Sequence, residues 1–493
     1  MLKENQLYHY QQEVVNNILK TKRIFVTQEM GLGKTIASIT AFIRILNKEV
    51  KKCLIIAPLN VAKSTWVNEL SKWEHTKDLK YSLAIGSEKQ RLSALQKEAD
   101  VYIINQENVL WMFHKGFKKY GFIIVDESTG FKSHSSNRFK ALRHFTSLYM
   151  VLLTGTPYPN GFMDLWSQIY LLDKGQRLGK YITHYRNQYF TYDEHKRKYI
   201  CLYPNTILDK IKDITISMKA EDYLELPDKI SNVVKVDIDN YDLYKTFEKE
   251  YYLRINNDEI TAVNAAVLSS KLLQYCNGAV YSEEFYDNPR WGKTLVHDSK
   301  VDYLDDMAVV NHFTKKLNVA SYGKNNIEIK RITGNFSNIN NRYKIVHNNK
   351  IDYLKEFIEL YSDENILVAY NFKSDEERIR LAIPTSITLN RNNIVDVEKR
   401  WNKGEIKLLL CQSGTAKGLN LQYGGRIIVW FGITYNLEHY LQFNARLHRQ
   451  GQTKPVLIYH IVANKCKDEQ VMKILDNKNT TSEMIYEVLK NRN

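Results

Sequence analysis

The sequence predicts an α/β protein made of two parallel-sheet lobes. Three observations carry that expectation. Short aliphatic runs alternate with amphipathic stretches over the first 160 residues, the same alternation returns after about residue 350, and a glycine-rich loop follows the first run and opens a helix. In the first lobe the expected strands are Arg23–Thr27, Lys52–Ala57, Val101–Asn105, Phe122–Val125 and Met150–Thr154. Thr35–Leu46 and Val61–Trp73 carry helical spacing between them. In the second lobe the runs are Asn365–Tyr370, Lys407–Gln412, Arg426–Trp430 and Val456–Val462, with a helix expected over Leu437–Arg449.

Between the lobes, Leu226-Pro227-Asp228 marks a break, because the residue before a proline is pushed out of helical geometry. The expected organisation is a first lobe over 1–225 and a linker with a helical segment over 226–277. A helical or irregular insertion of unassigned role follows at 278–349, and the second lobe spans 350–493. A projection at about 174–200 departs from the lobe pattern. Over 174–199 it holds seven Lys/Arg, two acidic residues and six Phe/Tyr. Cations interleaved with aromatics suit a nucleic-acid groove, and equally a helical projection packed under a solvated basic rim.

Composition narrows the class. The 493 residues are 44% hydrophobic and 25% charged, which excludes wholesale disorder, and no apolar run is long enough for a membrane span. Met1–Leu19 is polar and lacks a signal-peptide core. The five cysteines lie far apart with no Cys-x-x-Cys pair, against a disulfide framework or a zinc ribbon. A cytoplasmic location is expected. The formal charge of +15 favours a polyanionic partner without specifying one.

Gly31-Leu32-Gly33-Lys34-Thr35 follows a strand and opens a helix, the arrangement in which backbone N–H groups cradle phosphates. Lys34 would neutralise the β and γ oxygens of a nucleotide, and Thr35 would hold Mg²⁺. The longer P-loop form fails, since Gln28 stands where its first glycine would be. A neighbouring strand runs into Asp126-Glu127, where Asp126 can order the metal shell and Glu127 can polarise an attacking water. Thr154-Gly155-Thr156-Pro157 ends the next strand. Downstream, Gln442, Arg446 and Arg449 recur at i, i+4, i+7, on one face of the expected helix. That stripe is either a solvated basic face or a pair of cations aimed at developing γ-phosphate charge.

Together these motifs resemble the superfamily 2 helicase-like ATPases of the Snf (SWI/SNF) type, in particular compact phage members. Tyr10-Gln11 resembles the family's adenine-reading motif. Gln28 through Thr35 is similar to motif I, with Gln28 in place of the usual acidic residue. Leu54–Pro58 resembles motif Ia, with Trp66 and Trp73 where the family often has aromatics. Asp126-Glu127-Ser128-Thr129 is similar to motif II, Ser128-Thr129 replacing Ala-His or Gly-His. Leu153–Pro157 with Asn160 resembles motif III, Val368–Phe372 loosely motif IV, Lys417–Gln422 motif V, and Gln442–Gln452 motif VI.

The resemblance implies two RecA-like lobes with ATP and Mg²⁺ in the cleft between them. Tyr10, Gln11, Met30, Gly31, Leu32, Gly33, Lys34, Thr35 and Gly418 would contact the nucleotide, and Thr35 and Asp126 the metal. Catalysis would fall to Lys34, Asp126, Glu127, Gln442, Arg446 and Arg449, and coupling to Thr154, Gly155 and Thr156. Lys63, Asn105, Gln106, Ser413 and Lys417 would track a phosphate backbone. The implied activity is a DNA-stimulated ATPase moving on DNA without reading sequence, duplex favoured and single strands possible, in a bacterial or phage-infected cell. A strand-separating DNA or RNA helicase is the nearest rival, and a nucleotide-gated binding module the other.

Overall fold

The computed structural model describes residues 1–156, 158–194, 198–255, 258–261, 265–281, 284–288, 292–296, 329–331, 343–390, 392–416 and 418–490. Two all-parallel sheets organise them. The first has seven strands: β1 (Arg23–Gln28), β2 (Cys53–Ala57), β3 (Tyr81–Ala84), β4 (Val101–Asn105), β5 (Phe122–Asp126), β6 (Tyr149–Thr154) and β7 (Thr215–Met218), in the spatial order β3-β4-β2-β5-β6-β1-β7. Strands β2, β4, β5 and β6 are buried at every residue, as continuous aliphatic runs must be when helices cover both faces of a sheet. Two apolar clusters sandwich it: one around Leu54, Ile104 and Val125, the other around Val26, Ile55 and Ile124. Alternate residues along each strand feed opposite clusters.

The second sheet has six strands: β8 (Lys229–Val236), β9 (Ile366–Tyr370), β10 (Ile387–Thr388), β11 (Leu408–Gln412), β12 (Ile427–Trp430) and β13 (Val456–Ala463), ordered β8-β13-β12-β9-β11-β10. The expected strands of both lobes are present with ends shifted by a residue or two. Strand β8 was expected as linker. It pairs in parallel with all of β13, Lys229 opposite Val456 through Val236 opposite Ala463. Its polar residues fit an edge position that one neighbour covers, so no apolar run announces it.

The helices that matter for the site are α1 (His9–Thr21), α2 (Lys34–Ile45), α3 (Leu165–Asp173), α4 (Ala265–Cys276), α5 (Asn349–Leu360), α6 (Leu437–Asn444) and α7 (Lys467–Lys490). Between β8 and α4, helix Tyr241–Glu250 is followed by an antiparallel pair, Tyr252–Ile255 with Asp258–Thr261. The ends of the insertion meet where Ala279–Tyr281 pairs antiparallel with Tyr343–Ile345. Behind them a buried network links Lys350 to Asp468, Asn277 Oδ1 (2.9 Å) and the Phe431 carbonyl (3.0 Å). Most of 278–349 lies outside the described residues. No described helix is long and apolar enough to cross a membrane, and no described group of His, Cys, Asp and Glu could hold a metal ion by itself.

The projection divides between its two readings. Helix Ile182–Tyr189 buries Tyr185 and Tyr189, and Phe190 packs with them. The hairpin Phe190–Asp193 with Lys198–Cys201 leaves Tyr192 and Tyr199 exposed, edge to face at 5.1 Å. The Arg186 guanidinium lies over the Tyr199 ring at 4.9 Å. Residues 196 and 197 lie outside the described residues.

Candidate nucleotide site between the lobes

The site collects at the carboxyl ends of β1, β5 and β6, where a parallel sheet leaves its loops free to face a ligand. Gly31 (φ 91°) and Gly33 (φ 74°) turn the chain through the left-handed region, and Gly33 caps α2. A Cβ at Gly33 would collide with the Gln11 side-chain amide, so the turn needs glycine both for its φ and for space. Gln11 is held there by accepting from Tyr8 N (3.0 Å) and donating to the Leu32 carbonyl (3.4 Å). Tyr10 lies between Tyr8 (5.5 Å, parallel) and Tyr223 (5.0 Å), and burial pushes its phenol up to about 12.

Lys34 Nζ folds back onto the loop, donating to the carbonyls of Gln28 (2.6 Å) and Glu29 (3.0 Å). Burial lowers its pKa, opposed by the charges of Glu127 and Asp126. The Asp126 carboxyl is pushed up by burial and accepts from Trp66 Nε1 at 2.8 Å. Trp66 therefore does more than fill an aromatic position: it orients the carboxylate expected to order a metal. Glu127 sits at φ 53°, a strained setting for a non-glycine residue that recurs at functional sites.

The second lobe reaches this point directly. Gln442 Nε2 donates to Glu127 Oε1 (2.8 Å) and to Glu438 Oε1 (3.2 Å). Arg446 donates from Nη1 to the Leu419 carbonyl (2.9 Å) and from Nη2 to Met30 Sδ (3.5 Å). Arg449 Nη1 donates to the same Leu419 carbonyl at 3.3 Å. Burial, with Arg449 nearby, lowers the Arg446 guanidinium to about 9. Gly418 (φ 85°) approaches Val61 and Thr65 of the first lobe so closely that a Cβ would lie 3.1 Å from Thr65 Oγ1.

Two expectations change here. The expected helix over Leu437–Arg449 stops at Asn444, so Arg446 and Arg449 do not share a helical face with Gln442. The cause is local: Arg446 Nε takes the Gln442 carbonyl (2.8 Å), and the backbone N–H groups of Arg446 and Leu447 turn to carbonyls three residues back. The two arginines converge instead on one carbonyl of Leu419. Gln106, expected on a phosphate backbone, is buried with both amide hydrogens spent, donating to the carbonyls of Asp126 (2.8 Å) and Glu127 (3.0 Å). It supports the strained turn at Glu127.

Of the other expected tracking residues, Lys63 is exposed on the turn Val61–Thr65. Asn105 is buried and donates to Glu107 Oε2 (2.7 Å), and Ser413 is buried in the loop after β11. Lys417 and Pro157 lie outside the described residues. A cleft of about 220 Å³ joins Pro58–Asn60 and Glu107 of the first lobe to Leu389, Asn390, Gly414 and Thr415 of the second. In the loop after β6, Thr154 Oγ1 accepts from Thr156 N (3.1 Å), and a Cβ at Gly155 would stand 3.7 Å from Lys34 Nζ. The residues suit a nucleotide and Mg²⁺. Thr156 Oγ1, Gln442 Oε1 and Arg449 Nε are buried with no hydrogen-bond partner among the described residues, and an anion beside Lys34 would take the place of the two backbone carbonyls that its ammonium now meets.

The roles of Trp66 and of the Leu419 carbonyl were not legible in the sequence. A tryptophan N–H has no spacing signature, and a carbonyl belongs to every residue.

Two parallel-sheet lobes with a phosphate loop, an acidic pair and cations reaching it from the other lobe define a helicase-like ATPase. Residues 10–279 match the model of the SNF2-related domain, and the chain belongs to that family. It is 31% identical to p41 of Acyrthosiphon pisum secondary endosymbiont phage 1, over 98% of each chain. It is 24% identical to the CHD3-type chromatin-remodeling factor CHR7 of Arabidopsis thaliana, across 96% of this chain and only 37% of that protein. Among solved structures it is similar to the SWI2/SNF2 ATPase core of Sulfolobus solfataricus in complex with dsDNA, at 18% identity and a TM-score of 0.42, covering 98% of this chain and 93% of that one.

Proposed function

We propose that the chain is a DNA-stimulated ATPase that uses hydrolysis to move along duplex DNA without reading its sequence. The observation that carries this is the bond from Gln442 to Glu127, which ties the water-activating candidate in one lobe to the arginine-bearing segment of the other. Hydrolysis then depends on how the lobes meet. Lys34 binds the β and γ oxygens as the helix end and glycine turn cradle the phosphates. Thr35 and Asp126 would hold Mg²⁺, which supplies charge neutralisation to the leaving group. Glu127 orients the attacking water, with its carboxylate fixed by Gln442 and its backbone by Gln106. Arg446 and Arg449 stabilise the charge that spreads over the γ-phosphoryl in the transition state.

The nucleic acid would lie along the inter-lobe cleft beside the exposed Lys63. Backbone contacts of this kind give affinity without sequence preference and weaken steeply with salt. The likeness to a chromatin-remodeling factor supports duplex DNA as the track.

The deciding experiment measures ATP turnover with duplex DNA, single-stranded DNA and RNA, beside triplex displacement and strand displacement. Stimulation by duplex with triplex displacement and no unwinding is expected. Unwinding would transfer the assignment to a strand-separating helicase. Turnover indifferent to every nucleic acid would leave a nucleotide-gated module.

A further inference from the structure

Ser128 and Thr129 stand where the resemblance leads one to expect Ala-His or Gly-His, and the usual histidine link from the acidic box to the loop after β6 is missing. A different connection leaves the same box. Ser128 Oγ donates to Gln168 Oε1 of α3 at 2.7 Å, both groups fully buried. Gln168 Nε2 donates to the Asp164 carbonyl at 2.9 Å. The Asp164 carboxylate accepts twice from Asn160, from its backbone N (2.9 Å) and from Nδ2 (3.2 Å). Asn160 Oδ1 accepts from Lys478 Nζ at 3.4 Å, and Lys478 Nζ also donates to the Tyr435 carbonyl at 3.1 Å.

The two ends of this chain of bonds belong to different lobes. Ser128 follows Asp126 and Glu127 in the first. Lys478 rides on α7, which leaves β13 of the second lobe, and Tyr435 lies just before α6, the helix that carries Gln442. Helix α7 also packs against β7 of the first lobe, so Lys478 sits on an element that spans the gap. The charges along the path are partly withdrawn from water: burial raises the Asp164 carboxyl, opposed by Lys132 and Lys478, and lowers the Lys478 amine. A charge contact in such a setting is stronger than its surface counterpart and more sensitive to a small change in separation.

We propose that Ser128, Gln168, Asp164, Asn160 and Lys478 form a hydrogen-bonded relay that reports the relative position of the lobes to the Asp126–Glu127 turn, in place of the missing histidine. These are positioning residues: none faces the expected phosphates. The relay rests on the DNA-stimulated reading given above, and it names the route by which stimulation arrives. Lobe movement shifts Lys478 relative to Asn160, Asp164 follows its amide partner, and Gln168 transmits the shift to Ser128 beside the carboxylates.

The test compares turnover with and without duplex DNA for the wild type, Gln168→Leu, Lys478→Met, the double variant and Lys478→Arg. The relay predicts a roughly tenfold loss of the stimulated rate in each of the first two. The unstimulated rate and the KM for ATP should stay within about twofold of wild type, a split that general destabilisation does not produce. The double variant should be no worse than either single one, because both cut the same path. Lys478→Arg should restore most of the stimulation. Unchanged stimulation in both single variants, or losses that multiply in the double variant, overturns the relay while the DNA-stimulated reading stands. A wild type that duplex DNA does not stimulate overturns that reading and removes the relay with it.

Discussion

The two faces of the cleft are built on opposite principles. In the first lobe each group stands at the end of a parallel strand or at the helix end beside it. Gly33 caps α2, Asp126 ends β5 and Thr154 ends β6. Backbone geometry places the chemistry, and side chains such as Gln11, Trp66 and Gln106 then secure it. In the second lobe the arginines lie beyond the end of α6 and converge on the Leu419 carbonyl, with Arg446 held also by the Gln442 carbonyl. A site set by strand ends is rigid in itself, whereas one set by side chains gripping a loop can be assembled and released as lobes move.

That difference can be broken most sharply at the least constrained cation. Arg449→Ala is expected to lower turnover on the order of 10³-fold with little change in nucleotide affinity, read by single-turnover hydrolysis beside equilibrium binding of ATP. The reverse pattern, affinity lost and turnover kept, would make Arg449 a binding residue. Glu127→Gln should cost roughly 10²- to 10³-fold in turnover while retaining ATP binding, since water activation goes and the glycine turn and Lys34 that would hold the phosphates stay. Near-normal hydrolysis in that variant would remove Glu127 from catalysis.

Gly33→Ala probes the backbone-set face. A left-handed alanine costs about 1–2 kcal/mol, and the Cβ would also displace Gln11. Thermal melting should show that loss, and ATP affinity should fall with it. An unperturbed variant would show that the loop can turn another way. The smallest effect concerns acid sensitivity in the second lobe. His460 is buried between Tyr440 and Asn232, and burial lowers its pKa from 6.5 to about 4. Its folded-state pKa lies below the unfolded one, so stability is full above pH 6.5 and is lost as pH falls toward 4. His460→Gln should remove about 1 kcal/mol of the loss the wild type suffers between about pH 6.5 and about pH 5.5, measured by urea unfolding at those two pH values.

The same contrast explains what the sequence made legible. Strands buried on both faces must be written as continuous aliphatic runs, so β2, β4, β5 and β6 were readable nearly to the residue, and with them the loop and acidic pair at their ends. Strand β8 was not, because an edge strand tolerates Lys229, Ser231, Asn232 and Lys235 and is specified by a partner more than two hundred residues later. The arginine pair was expected on one helical face, and the structure places it beyond the helix end. A spacing of i, i+4, i+7 has meaning only while the helix lasts, and here the Arg446 side chain itself takes the carbonyl that would have continued it. Gln106 carried no local sign of its burial, since its partners are backbone oxygens twenty residues away.

The pairing of β8 with β13 has a consequence for how the molecule can be divided. The last strand of the second sheet finds its outer neighbour in the chain that leaves the first lobe, before the insertion begins. A fragment cut at residue 350 would expose the open side of Val456–Ala463, a row of unpaired N–H and C=O groups beside an apolar face, and such an edge recruits other chains. A separable second lobe must therefore start upstream of Lys229. The segment between the lobes is a tether at one end and a seam at the other.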